Sequence, residues 1–129
     1  MTRIGSPARV LVVDDSRLVL DTLCDLITEL GHESVSSAGG RKALELLASR
    51  RYDLVITDLL MPEMGGPALA RKLLAERPET SILFMSGHTD HTITRGPPFL
   101  QKPFTPDALA RTVRAALDVV TRAAVPAGR

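Results

Sequence analysis

The chain has 129 residues, 44% hydrophobic and 24% charged, which suits one soluble globular domain rather than a disordered segment. A net charge of +1 gives no general pull toward nucleic acid or anionic membrane, and 3% aromatic residues with no Trp leave no stacking platform for single strands. The single cysteine, Cys24, excludes an internal disulfide, and no apolar run reaches the roughly 20 residues that span a bilayer. "MTRIGSPA" lacks the hydrophobic centre of a secretion signal, so the expected location is the cytoplasm.

In chain order, "RVLVV" is continuous and rich in β-branched residues, as expected of a strand buried on both faces. It ends in Asp14 and Asp15. "SRLVLDTLCDLITEL" follows as a helix, with Ser16 as N-cap, Gly31 as its stop, and Val19, Leu23, Leu26 and Leu30 at helical spacing. "HESVSSA" reads as a weak edge strand and "GRKALELLASR" as a second helix. "YDLVIT" is a second buried strand, ending at Asp58. The proline and paired glycines of "LLMPEMGG" mark a loop before the helix "PALARKLLAER". "SILFMS" and "PFLQ" are the remaining strands. Thr105 and Pro106 open the last helix, "PDALARTVRAALDVVTR", whose stripe is Leu109, Val113, Ala116 and Val120. Such alternation implies an open, doubly wound α/β sheet that is parallel and covered by helices on both faces.

Ligands of such sheets sit outside the carboxyl ends of the strands, where the winding reverses. The strands here deliver Asp14, Asp15, Asp58, Ser86 and Lys102 to that edge. An acidic pair alone is costly, since two unit charges about 4 Å apart interact at roughly 4 kcal/mol with an effective dielectric of about 20. A divalent cation removes that repulsion. Hard oxygen donors suit Mg²⁺ with room left for water and a phosphoryl oxygen. Ser86 and Lys102 are then the donors for a phosphoryl group, and Asp58 the candidate nucleophile that forms an aspartyl phosphate.

These segments, "VLVVDDS", "YDLVITDLLMPEMGG", "ILFMSG" and "FLQKPF", resemble the receiver domain of two-component response regulators over about residues 8 to 122. Tails of 1–7 and 123–129 flank that unit. The resemblance implies a flavodoxin-like five-stranded sheet of order 2-1-3-4-5. It also implies that Asp58 takes its phosphoryl group from a phosphohistidine on a sensor histidine kinase or histidine phosphotransfer protein. In that reading Asp15 and Asp58 hold Mg²⁺ directly, Asp14 through water, and the Leu60 carbonyl is a further ligand. Lys102 contacts the phosphoryl group, and its bond to Pro103 is typically cis in the family. Ser86 swings toward the new oxygens and Phe99, the switch aromatic, turns into the space it leaves. Phosphate thus selects one of two packings.

The chain also departs from the pattern. Only 15 residues separate Ser86 from Lys102, so the fourth helix is expected to be shortened. A partner is then expected to use the first and last helices or the rebuilt loop. His88 and His91 read as exposed polar residues, with an effect of His88 on phosphoryl lifetime left open. Met61, Met85 and Cys24 read as packing, and Arg111, Arg114 and Arg122 as a solvated face. With few residues after 122, the expected output is protein contact or phosphoryl relay, without direct binding to nucleic acid or membrane. "FLQKPF" is similar to receivers of hybrid histidine kinases. Two other functions compete. A phosphohydrolase of the haloacid dehalogenase type needs its nucleophile two residues before a second Asp on the first strand, which the adjacent Asp14 and Asp15 do not give. A receiver-like scaffold that is never phosphorylated is disfavoured by the full set of site residues. The expected role is a signalling switch and not a turnover enzyme.

Overall fold

A computed structural model describes residues 7–61, 63–86 and 99–127, with side chains as far as residue 118. The elements run β1 (Arg9–Val13), α1 (Arg17–Glu29), β2 (Glu33–Ser37), α2 (Gly40–Ser49), β3 (Leu54–Asp58), α3 (Gly66–Glu76), β4 (Ser81–Ser86), β5 (Phe99–Gln101) and α4 (Pro106–Ala127). The strands pair in parallel as β2-β1-β3-β4-β5. This is the flavodoxin-like order expected from the sequence. The segment expected to hold a shortened helix, with His88 and His91, lies outside the described residues.

Alternation along the central strands divides the core in two. Val10 and Val12 of β1, with Leu54 and Ile56 of β3, meet Leu23 and Ile27 of α1 and Leu109 and Val113 of α4. Leu11, Val13 and Val55 face the other way, against Ala43 and Leu47 of α2 and Leu69 and Leu73 of α3. Both faces of β1 and β3 are therefore buried, which is why Val10–Val13 and Leu54–Ile56 are apolar without a break. Among the described residues no helix is long and apolar enough to cross a membrane.

Helix ends follow local chemistry. The Ser16 hydroxyl caps α1 by accepting from the Val19 N–H, and Gly31 takes φ +94° just beyond its end. The Thr105 hydroxyl accepts from the Ala108 N–H at the start of α4. Two details differ from the sequence reading. The buried stripe of α1 is Leu20, Leu23 and Ile27; Val19 and Leu26 lie at its flank and Leu30 is exposed. The reading had the right period and a phase one residue off. Helix α4 also runs on to Ala127, past the expected end at Arg122.

Met85 is fully buried, Cys24 packs at the edge of the α1 face, and Met61 packs on the α2/α3 face. Arg111 and Arg114 are exposed. The side chains of Val120 and Arg122 lie outside the described set.

Candidate functional site

The winding of the sheet reverses between β1 and β3, and the crevice at their carboxyl ends collects the acidic residues. Asp14 leaves β1 directly, with its N–H donating to the Ser37 carbonyl across 3.2 Å. Its side chain is 1% exposed. One carboxylate oxygen accepts from the Ser16 N–H at 2.8 Å and the other from the Lys102 ammonium at 3.0 Å. Asp15, next in the chain, points to solvent.

Asp58 closes β3, beside Met85 of β4, and its side chain is 13% exposed. The Lys102 ammonium stands 3.7 Å from its Oδ2. A carboxylate oxygen from each of Asp14, Asp15 and Asp58 lies within 4.8 Å of the other two. Burial pushes the Asp58 carboxyl above the ordinary carboxylate range; the Lys102 ammonium opposes this, while the charges of Asp14 and Asp15 add to it.

Lys102 follows β5, and its N–H donates to the Ser86 carbonyl at 2.8 Å, so the last residue of β4 and the site lysine are joined by their backbones. The Lys102–Pro103 bond is cis. Ser86 is buried at the end of β4. Phe99 opens β5, half-buried, paired with Phe84. Leu60 lies two residues beyond Asp58 in the β3–α3 loop, its side chain exposed.

The structure thus brings Asp14, Asp15, Asp58 and Lys102 to one place from three separate stretches of chain, with Ser86 tied to the last of them. The donor set fits Mg²⁺: three carboxylates offering hard oxygens, that of Asp15 open to solvent, with the Lys102 ammonium the one cation beside them among the described residues. One participant escaped the sequence reading. Ser16 appeared only as a helix cap, yet its N–H also fixes the Asp14 carboxylate. The signal was available, because an Asp two residues before a backbone N–H commonly closes such a turn.

Comparison with known proteins agrees with this geometry. The family described as the response regulator receiver domain matches residues 10–114. The chain is 33% identical over 125 residues to the sensor kinase CckA of Brucella abortus, covering 91% of this chain and 13% of that protein. It is 33% identical over 118 residues to the response regulator MprA of Mycolicibacterium vanbaalenii, covering 86% of this chain and 51% of that one. The chain therefore spans at most about half of these two relatives. Among solved structures it superposes on the chemotaxis response regulator CheY4 of Vibrio cholerae with a TM-score of 0.79 and 28% identity, covering 87% of this chain and all of that one. By this match and by its fold, the chain belongs to the response regulator receiver domains, the phosphoacceptor switches of two-component signalling.

Proposed function

We propose that Asp58 is the phosphoacceptor of this domain, within a receiver unit spanning residues 8–122. The observation that carries the reading is the position of Asp58: at the carboxyl end of β3, an oxygen within 4.8 Å of those of Asp14 and Asp15, and 3.7 Å from the Lys102 ammonium. Asp14, Asp15, Asp58 and the Leu60 carbonyl would hold Mg²⁺. That ion supplies charge neutralisation for the carboxylates and for the incoming phosphoryl oxygens.

The chain's own residues do the rest. An Asp58 carboxylate oxygen attacks phosphorus on a phosphohistidine; a P–O bond forms as the P–N bond breaks, and the imidazole leaves with the electron pair. Lys102 moves from its carboxylate partners to a phosphoryl oxygen, a point charge answering the charge that arrives. The Ser86 hydroxyl donates to another. The aspartyl phosphate carries about −1.5 to −2 charges in place of the single carboxylate charge, so the phosphorylated state favours whatever packing brings donors closest. Phe99 turns inward in that packing, and the change at the ends of β4 and β5 is what a partner reads.

The donor is a sensor histidine kinase or a histidine phosphotransfer protein, and the setting is the cytoplasm. The domain acts as a switch or a relay and turns over no external substrate. Acetyl phosphate with Mg²⁺ tests this reading by mass spectrometry. One phosphoryl group is expected on the wild type and none on Asp58→Asn or in EDTA. Equal labelling of Asp58→Asn, or labelling indifferent to Mg²⁺, overturns it. Sustained hydrolysis of a phosphomonoester by catalytic amounts of protein would make the chain an enzyme instead.

A further inference from the structure

Helix α3 begins where β3 has just ended, and the two meet without room for a side chain. Gly66, the first residue of α3, is buried. A Cβ there would lie 2.5 Å from the carbonyl oxygen of Asp58 and 3.2 Å from the Cα of Leu59. On the remaining side the ring of Phe84 would stand 3.2 Å away. The glycine's own N–H donates to the Leu59 carbonyl at 3.0 Å, so the same residue is also bonded to the strand end it abuts. Neither wall yields cheaply. Asp58 and Leu59 are held from β4, where Asp58 pairs with Met85 and the Leu59 N–H donates to the Met85 carbonyl at 2.9 Å. Phe84, on the same strand, is itself buried.

From this contact we infer that Gly66 is a positioning residue for the Asp58 carboxylate and the Leu60 carbonyl. It lets the α3 terminus sit directly on the backbone of Asp58, and it thereby fixes where the strand end delivers its oxygen ligands. The neighbouring Gly65 is graded differently: a Cβ there would meet the Leu59 carbonyl at 3.1 Å, a contact that a shift of a few tenths of an ångström relieves. A side chain at residue 66 has no such escape. It must displace the Asp58 backbone relative to the acidic pair that follows β1 or lever the helix off the sheet. The inference rests on the reading of Asp14, Asp15 and Asp58 as a Mg²⁺ site.

The test separates position from stability. Mg²⁺ binding to the full chain is measured by titration calorimetry for the wild type, Gly66→Ala and Leu73→Val. The last of these weakens α3 from its buried face without touching the strand end. Gly66→Ala is expected to raise the Mg²⁺ Kd about 10- to 100-fold, the range found when residues that orient metal ligands are lost. Leu73→Val is expected to leave it unchanged at a comparable loss of stability in urea. An unchanged Kd in Gly66→Ala overturns the inference, as does an equal rise in both variants. Wild-type protein that takes up no Mg²⁺ overturns the metal reading itself, and this inference with it. If Gly66→Ala does not fold in buffer alone, all three titrations are run in sucrose, which strengthens the folded state, and the same outcomes decide.

Discussion

The Lys102 ammonium donates to the Asp14 carboxylate across 3.0 Å, joining residues 88 apart in the chain. Asp14 is buried and Lys102 mostly so, and the ammonium also stands 3.7 Å from Asp58. The lysine therefore acts as counter-ion to both Asp14 and Asp58. Lys102→Met keeps the stem and removes the charge, leaving Asp14 with the Ser16 N–H as its one side-chain partner among the described residues. A hydrogen bond to a charged group contributes about 1.5–3 kcal/mol, and a loss of that size is expected in urea unfolding with EDTA. With saturating Mg²⁺ the loss should shrink, because a second cation serves the same carboxylates. Equal losses in both buffers would mean that lysine and metal do not share the site.

Mg²⁺ itself should stabilise the fold. A ligand that binds only the native state adds RT ln(1 + [L]/Kd), about 2.7 kcal/mol at a hundredfold excess over Kd. Urea midpoints measured across a Mg²⁺ series should climb with the logarithm of concentration. In Asp15→Asn the climb should begin at higher Mg²⁺, since one of the three clustered carboxylates is gone and Asp15 is exposed enough that the substitution costs the apo fold little. A climb that is identical in the variant would place the ion somewhere else.

Away from the crevice, the Tyr52 hydroxyl is buried with no hydrogen-bond partner among the described residues. Its ring lies in the apolar layer between the sheet and α2 and α3. An unpaired buried hydroxyl costs about 1–3 kcal/mol, so Tyr52→Phe is expected to raise stability by up to about 1 kcal/mol after the fit of the ring is allowed for. Urea unfolding decides the point. A clear loss of stability would show that the hydroxyl is bonded after all.

The candidate site was legible in the sequence because Asp14, Asp58, Ser86 and Lys102 stand at or just past the ends of strands, and topology alone sends those ends to one edge. The phase of α1 was less legible. "RLVLDTLCDLITEL" offers apolar neighbours at Val19 and Leu20 and again at Leu26 and Ile27, and only contact with β1 and β3 chooses Leu20 and Ile27. The end of α4 was missed because "AAVPA" past Arg122 continues no apolar stripe and contains Pro126, which reads as a stop. Gly66 was least legible. Its sequence shows a paired glycine before a proline, which says turn; that the second of the pair rests on the Asp58 carbonyl is a tertiary fact.

Burial holds the Asp58 carboxyl above its ordinary value of 3.8, with Asp14 and Asp15 adding to the shift and Lys102 opposing it. The sign of the consequence is fixed by proton counting. Between the ordinary and the raised value, the folded protein binds more protons at this residue than the unfolded chain does, so stability falls as pH rises through that window. Below 3.8 the carboxyl is neutral in both states and the penalty vanishes. Asp58→Asn carries no charge at any pH and escapes the penalty altogether. In EDTA the variant should therefore be more stable than the wild type at neutral pH, with the advantage shrinking steadily on acidification. Saturating Mg²⁺ at neutral pH should reverse the order, since the wild type then keeps a ligand that the variant lacks. Urea curves for both proteins at several pH values read the difference directly. An advantage that stays flat with pH, or widens as the solution is made acidic, would mean that Asp58 ionises freely and that the crevice places no strain on its charge.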